Sequence, residues 1–308
     1  MKKIFTAVIA MMMTVSVSAQ FYVYLSNGEV LKADSISLVA PTTPSGDGAL
    51  SGEFSVSATN KVHFSQGNLQ ATYNGSSWTW VFAANQYDYI GSAAANNAIN
   101  GNGTVSSNGT VDLFGWSTAA TYFGIHNSTD NSTYSGDFVD WGTNAITNGG
   151  NAANLWRTLT KDEWVYLFYT RTNAATLFGL GSVNGVNGTI LLPDNWELPA
   201  GASFIASTTQ GLVWTDDSYY YDENNGHFTD NTYTKEQWSV MESAGAVFLP
   251  AAGNRYGSDV YNVGSGGGYW AATPYDTDFA YFLFFYSYYL NPQNYNGRSS
   301  GFSVRLVR

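Results

Sequence analysis

One uncharged stretch near the C-terminus places the strongest constraint on how this chain folds. Residues 280–290 read Ala-Tyr-Phe-Leu-Phe-Phe-Tyr-Ser-Tyr-Tyr-Leu, and seven of these eleven residues are aromatic. Aromatic side chains favour β-strands, in which successive residues point to opposite faces. The stretch is therefore either a central strand buried on both faces or a strand that presents an aromatic surface to a partner. The alternation puts Leu283, Phe285 and Ser287 on one face, and Phe282, Phe284, Tyr286 and Tyr288 on the other.

The residues around this strand have the composition of a recognition surface. Residues 269–308 contain no Lys, Glu or Met, whereas Tyr, Phe, Asn, Asp and Ser are frequent. Tyr and Phe supply rigid contact area at low entropic cost, and Asn, Ser and Asp supply adaptable hydrogen bonds. If the surface is exposed, its candidate ligand-binding residues are Tyr275, Asp276, Asp278, Phe279, Phe282, Phe284, Tyr286, Tyr288, Tyr289, Asn294, Tyr295, Asn296, Ser299 and Ser300.

Residues 1–19 have the features of a secretory signal peptide. A Lys-Lys pair at positions 2 and 3 precedes an almost entirely apolar stretch, residues 4–17, and Val-Ser-Ala at 17–19 fits a cleavage site. The apolar stretch is too short for a membrane span. We therefore expect a secreted or cell-surface protein exported through a cleavable signal peptide. The alternative is an N-terminal anchor that stays uncleaved.

The charge and the cysteine count exclude several classes of partner and chemistry. The chain has 23 acidic against 12 basic residues, a net charge of −11, and no cysteine. A strongly acidic chain repels phosphate backbones and anionic membrane surfaces, so we do not expect nucleic acid binding. No segment after residue 19 has the uninterrupted apolar run of a transmembrane helix, so we do not expect membrane insertion. Without cysteine there is no disulfide and no thiol chemistry, and the hydrophobic core must supply the stability.

The hydrophobic pattern predicts an α+β fold preceded by a short β module at residues 20–40 and a linker at 41–52. The main domain covers residues 53–308, with several short strands, mostly antiparallel, and long loops rich in Asn, Gly and Ser. Two capping boxes, Thr160 with Glu163 and Thr234 with Gln237, each predict the start of a helix. The second helix should end near Gly245.

Three segments of the main domain resemble a known family. Residues 155–164 read Leu-Trp-Arg-Thr-Leu-Thr-Lys-Asp-Glu-Trp, residues 268–274 read Gly-Tyr-Trp-Ala-Ala-Thr-Pro, and residues 298–308 read Arg-Ser-Ser-Gly-Phe-Ser-Val-Arg-Leu-Val-Arg. They resemble the formylglycine-generating (sulfatase-modifying factor) family of C-type-lectin-like folds, in its Bacteroides-type surface members. The tail also resembles the variable proteins of diversity-generating retroelements, which share this fold. The resemblance implies a C-type-lectin-like domain with a variable region at 269–308.

In that retroelement family, error-prone reverse transcription of template adenines changes chosen codons, mostly those for Asn. The substituted positions therefore draw on Asn, Tyr, Asp, Ser, Phe and similar residues, which are the types found at the candidate positions. A related surface protein that does not vary would carry the same framework, and this alternative stays open. The resemblance implies a fixed framework of Tyr269, Trp270, Pro274, Leu283, Phe285, Pro292, Arg298, Gly301 and residues 304–308.

The sequence favours a binding protein over an enzyme and predicts no cofactor. The enzyme of the sulfatase-modifying family needs cysteines for copper binding and oxidation, and this chain has none. His63, His126 and His227 lie in no catalytic motif, although a Ser-His-Asp site remains open. Calcium is also open, because acidic pairs at 216–217, 222–223 and 276–278 offer oxygen ligands, but solvated acidic loops are the favoured explanation for them. Arg298 is either a structural residue that binds carbonyls or a ligand anchor.

The leading hypothesis is an exported, adhesin-like protein whose C-terminal surface binds a protein or glycan ligand on another cell, a phage or a host. The first alternative is a non-variable structural surface protein, such as a pilus or envelope component, that buries the same aromatic face against a permanent partner. A carbohydrate-binding accessory protein or a hydrolase is the second alternative.

Overall fold

A computed structural model describes residues 21–24, 30–33, 46–91, 109–207 and 226–308. The chain divides into two compact units, Met1–Ala40 and Pro41–Arg308. The described part of the first unit is an antiparallel pair of strands, β1 (Phe21–Tyr24) and β2 (Val30–Ala33). The proposed signal peptide lies outside the described residues. Among the helices of the described ranges, none has the length and apolar character needed to cross a membrane.

The second unit is α+β, as the sequence predicts. Helix α1 (Lys161–Val165) continues as a π-helical segment, Tyr166–Thr170, and α2 covers Lys235–Ser243. Both helices begin with the predicted capping boxes. The Thr160 N–H donates to Glu163 Oε2 at 2.8 Å, and the Glu163 N–H donates back to Thr160 Oγ1 at 3.3 Å. Helix α2 ends before Gly245, whose φ of +98° suits glycine.

Short strands form several small sheets in this unit. The strands are β3 (Phe54–Ser55), β4 (Lys61–Val62), β5 (Leu69–Tyr73), β6 (Trp78–Phe82), β7 (Gly109–Val111), β8 (Arg157–Thr158), β9 (Phe178–Val183), β10 (Val186–Leu191), β11 (Thr232–Tyr233), β12 (Val247–Pro250), β13 (Asn254–Tyr256), β14 (Asp259–Tyr261), β15 (Gly266–Pro274), β16 (Phe279–Tyr286), β17 (Tyr289–Gly297) and β18 (Leu306–Val307). The four-stranded sheet has the order β11-β9-β10-β12, and β6-β5-β7 and β15-β16-β17 are three-stranded. Among the paired strands of the described ranges only β9 and β11 run parallel.

The aromatic stretch forms β16, the central strand of the C-terminal sheet. On one face Leu283 and Phe285 enter a core that also contains Trp164 of α1. On the other face Phe282 enters a second core together with Trp270 of β15. The middle of β16 is therefore buried on both faces, which is the first of the two interpretations of its sequence. Only its two ends leave aromatic side chains partly accessible.

The last residues of the chain close the domain. Strand β18 pairs with β8, and Val307 forms an additional bridge with Phe64. Leu306 and Val307 are completely buried, one in each of the two cores. The tail therefore ties the first strands of the domain to the segment before α1.

A buried polar network holds Arg305 in place just before β18. The guanidinium, 1% exposed, donates to Gln86 Oε1 at 2.8 Å and to Asn68 Oδ1 at 3.4 Å. Gln86 also accepts the Phe248 N–H at 2.7 Å and donates to Glu242 Oε1 at 2.8 Å. Burial raises the pKa of the Glu242 carboxyl and lowers the pKa of Arg305 to about 10. Gln86 thus links α2 and β12 to Arg305 in the C-terminal tail, and Arg305 links the tail to Asn68 at the start of β5.

Candidate ligand-binding surface

The structure divides the predicted ligand-binding residues between the two ends of the β16–β17 hairpin. Strand β16 has eight residues, so its ends are roughly 25 Å apart at about 3.3 Å per residue. The middle of the strand does not reach the surface. Phe282 is 2% exposed, and its ring stacks on Phe302 with the ring centroids 4.3 Å apart. The predicted residues therefore form two separate clusters and not one continuous face.

Four of the predicted contact residues are buried, which corrects their assignment to the surface. Phe282 lies in the core, and Tyr289, 3% exposed, stacks beneath Tyr286 at 4.8 Å. The hydroxyl of Ser299 donates to Asn131 Oδ1 at 2.7 Å, and the hydroxyl of Ser300 donates to Asn296 Oδ1 at 3.3 Å. The covering groups come from distant segments or adjacent strands, which the local composition does not reveal. The surface is therefore smaller than predicted.

One cluster lies at the turn that joins β16 to β17. Ser287 and Tyr288 form this two-residue turn, and Tyr288 has a φ of +56°. The Tyr288 N–H donates to the Gly226 carbonyl at 2.7 Å. Phe284 and Tyr286 are half-buried and line a groove of about 430 Å³. The turn cluster thus consists of partly covered rings that pack mainly on one another.

The other cluster lies at the open end of the hairpin and is the more exposed. The rings of Tyr275 and Tyr295 stack almost parallel, with their centroids 4.1 Å apart and 9° between their planes. Tyr275 is 46% exposed and Tyr295 39%. Tyr281 meets the edge of this pair at 5.4 Å from Tyr275, and Phe279 lies 6.1 Å from Tyr295. We call these four residues the tyrosine platform. It lies on a sheet whose residues Phe282, Leu283 and Phe285 are buried.

A cleft of about 550 Å³ runs beside the platform. Its rim carries the exposed carboxylates of Asp276 and Asp137. Asp276 Oδ1 accepts the N–H groups of Asp278 and Phe279, both at 2.8 Å, which fixes the loop between β15 and β16. These bonds fix the Asp276 carboxylate within the loop that directly follows Tyr275. The cleft is lined by Ser135, Gly136, Asp137, Pro274, Tyr275, Asp276, Thr277 and Arg298.

Arg298 is a structural residue at the bottom of this cleft. It is 4% exposed and donates to the carbonyls of Tyr134 at 3.3 Å, Gly136 at 3.1 Å and Asp276 at 2.5 Å. Its guanidinium carbon lies 4.2 Å from the ring centroid of Trp116. Burial lowers the pKa of Arg298. Because the donors are directed at main-chain carbonyls, the residue fastens the loops that form the cleft, in agreement with the structural interpretation.

Asparagine side chains cover part of the free edge of β17. This strand is at the edge of its sheet, so alternate N–H groups point away from β16. The N–H groups of Tyr295 and Gly297 donate to Asn294 Oδ1 at 2.8 Å and to Asn296 Oδ1 at 2.7 Å. The sequence predicts that both asparagines offer hydrogen bonds to a ligand. In the structure their carbonyl oxygens are already engaged by the main chain.

Removing these side chains should make the protein self-associate through the edge of β17. In an Asn294→Ala/Asn296→Ala variant the outward N–H groups lose these acceptors, and an unprotected strand edge pairs readily with another chain. We expect the mass measured by size-exclusion chromatography with light scattering to rise with concentration more steeply than for the wild type. Gln293→Ala, on the same strand, keeps both asparagines and should behave like the wild type. An unchanged mass for the double variant would contradict a protective role.

The sequence left open a calcium site and a Ser-His-Asp site, and the structure assembles neither from the described residues. Within the described ranges no three His, Cys, Asp or Glu residues come together to hold a metal ion. The acidic residues at 216–217 and 222–223 lie outside these ranges. His227 Nδ1 lies 3.3 Å from Ser287 Oγ, but the nearby Asp230 carboxylate accepts the main-chain N–H of His227 at 2.7 Å. In that arrangement the carboxylate is bound to the main chain of the histidine.

The sequence prediction of the site did not include Tyr281 of the exposed cluster or Asp137 of its cleft. Tyr281 follows Phe279 by two positions, so the strand alternation could have placed it on the same face. Asp137 is distant in the sequence from the C-terminal region, and no local pattern connects it with the hairpin. It reaches the cleft because its loop supplies the carbonyl of Gly136 to Arg298.

Residues 216–307 match a family model described as a domain of unknown function, DUF8237. The matched region contains α2, both clusters and the whole β15-β16-β17 sheet. Neither the curated proteins nor the solved structures contain a match to this chain.

Proposed function

We propose that this chain is an exported, adhesin-like protein that binds its ligand at the open end of the β16–β17 hairpin. The tyrosine platform carries this proposal, because it exposes two stacked rings on a rigid support. Large aromatic side chains at the surface dominate the binding energy of many interfaces when a partner covers them. Asp276, Asp278 and Asp137 would supply the polar rim that such interfaces have. The binding role requires no catalytic group.

The arrangement of the C-terminal sheet also supports a C-type-lectin-like fold and a variable region, as the resemblance implies. The proposed framework residues Tyr269, Trp270 and Leu283 are buried, whereas Tyr275 and Tyr295 are exposed. Under this proposal, variation would be tolerated at exposed positions and would be harmful at a core position. A reverse transcriptase gene next to a near-copy of the segment coding for residues 269–308, differing at adenines, is the expected genomic context. A locus with neither would favour the non-variable surface protein.

The function is tested by removing the two exposed rings. Tyr275→Ala/Tyr295→Ala should lower binding to the ligand by at least about tenfold, because truncating central aromatic residues typically costs about 2 kcal/mol or more. The ligand can be sought on an array of glycans and on a panel of purified cell-surface proteins, with and without EDTA. The EDTA arm reports directly on calcium dependence.

A matched control is available on the β13–β14 hairpin. Tyr256 and Tyr261 are 51% and 49% exposed and lie outside the cleft. Tyr256→Ala/Tyr261→Ala should retain binding, and circular dichroism should give both double variants the melting temperature of the wild type within a few degrees. If a ligand is found and both double variants bind it equally well, the binding site lies elsewhere.

A further inference from the structure

The tyrosine platform has the electrostatic character of a site for cations. The face of an aromatic ring is negative, and an ammonium or guanidinium group within about 6 Å of the ring centroid is attracted to it. Carboxylates stand beside these rings, since Asp276 and Asp278 follow Tyr275 in the loop and are exposed. Asp137 adds a third exposed carboxylate at the cleft.

The buried arginine beneath the cleft does not occupy the rim. The N–H groups of Arg298 are directed at the carbonyls of Tyr134, Gly136 and Asp276, below the surface. Within the described residues no ion pair includes Asp137, Asp276 or Asp278. Burial lowers the pKa of Arg298, and the charges of Asp276 and Asp278 partly oppose this shift, so these two carboxylates also interact with the arginine below them. A ligand at the platform therefore meets rings and carboxylates together.

The chain itself places a cation on one ring of the platform. Lys161 Nζ lies 5.4 Å from the ring centroid of Tyr281 and 2.7 Å from Asp162 Oδ1. This is an ammonium group held by a tyrosine ring and a carboxylate at once. Tyr275 and Tyr295, next to Tyr281, offer a ligand the same two kinds of group, because their rings are exposed beside the acidic rim.

We propose that the platform binds a Lys- or Arg-bearing segment of a protein partner, with the cationic side chain on the Tyr275–Tyr295 pair and its charge paired with Asp276, Asp278 and Asp137. This inference rests on the proposed function and names the chemistry of its partner. The net charge of −11 adds a long-range attraction for a basic partner and accelerates encounter at low salt. We assign the partner to protein because Lys and Arg side chains, spaced along a peptide, can place one cation on the ring pair and others beside the rim carboxylates.

The test uses the full chain and two labelled peptides that differ only in charge. One peptide alternates Gly and Arg, and the other has citrulline, which is neutral and almost the same shape, in place of Arg. Fluorescence anisotropy should show that the arginine peptide binds roughly tenfold more tightly or better, and that this preference shrinks as salt screens the charges.

Variants distinguish binding at the tyrosine platform from attraction by the overall negative charge of the protein. Tyr275→Leu/Tyr295→Leu keeps every charge and should weaken binding of the arginine peptide by roughly tenfold, because the cation loses the ring face on which it lies and the second ring stacked against it. Asp276→Asn/Asp278→Asn removes two charges and should weaken it to a similar extent, while the introduced amide at position 276 still offers an oxygen to the two N–H groups that fix the loop. Tyr256→Leu/Tyr261→Leu removes two exposed rings from the strand pair that carries Asp259, and this variant should bind like the wild type.

Three results would overturn the inference. If both peptides bind equally, the positive charge does not drive binding. If the control variant loses as much affinity as the platform variant, the overall negative charge of the protein holds the peptide. If a glycan or a neutral protein binds the wild type, is lost in Tyr275→Leu/Tyr295→Leu, and the arginine peptide shows no preference, the basic partner is wrong while the proposed function stands. A platform variant that retains every ligand found would refute the proposed function itself.

Discussion

Replacing Phe282 with alanine should lower the free energy of unfolding by about 3–5 kcal/mol. The ring is 2% exposed, stacks on Phe302 at 4.3 Å and lies 5.9 Å from Trp270. Removing it leaves a cavity between two strands and the tail, where the surrounding backbone is fixed by hydrogen bonds and cannot collapse. The midpoint and slope of urea unfolding, followed by tryptophan fluorescence, measure the loss.

Tyr295→Ala is the matched control, because the sequence predicts a ligand-binding role for both Phe282 and Tyr295. Tyr295 is 39% exposed, so its truncation opens no cavity and should cost less than about 1 kcal/mol. The two substitutions should therefore differ by several kilocalories per mole in stability, with the opposite order in ligand binding. Similar losses of stability would mean that the open end of the hairpin is as much a part of the core as its middle.

Replacing Gln86 with leucine should be similarly severe, at about 3–5 kcal/mol. The substitution removes the 2.8 Å acceptor of the Arg305 guanidinium and the 2.7 Å acceptor of the Phe248 N–H. A buried cation and a buried N–H group are then left without these partners, and the cost of burying them is no longer offset. Urea unfolding again gives the measurement, with Gln66→Leu, whose side-chain amide makes only a 3.4 Å bond to Ala83, as a mild control.

A double-mutant cycle identifies the cause of this loss. Arg305→Met removes the buried charge, so Gln86→Leu in that background should cost about 1–3 kcal/mol less than it does in the wild type. Additive losses would show that Gln86 acts through Phe248 and Glu242 alone. The cycle thus separates the contribution of the cation from that of the rest of the network.

The helix starts were predictable because their determinants are local. A capping box uses atoms three residues apart, so Thr160 with Glu163 and Thr234 with Gln237 form the same hydrogen bonds in many tertiary settings. The α+β class followed from two such helices among many short alternating segments. The order of the strands did not follow, because pairing between distant segments such as β8 and β18 leaves no local signal.

The candidate site was predictable in part. Tyr275 and Tyr295 are exposed, as the prediction requires, whereas Phe282, Tyr289, Ser299 and Ser300 are buried. Residues of the same types differ in burial because of the groups that pack against them. These groups are Phe302 for Phe282, Asn131 for Ser299 and Asn296 for Ser300. No composition rule distinguishes a tyrosine that ends on the sheet surface from a phenylalanine that faces another strand.

Residue totals establish that the chain has no thiol chemistry and is acidic, and neighbouring residues establish the alternation of β16 and predict export. Which parts of the alternating strand belong to the core and which to the surface depends on the folded structure. Burial is a property of contacts between segments far apart in the chain, and both faces of β16 have such contacts only in the middle. The same contacts leave Tyr275 and Tyr295 at the open end and bring Asp137 beside them.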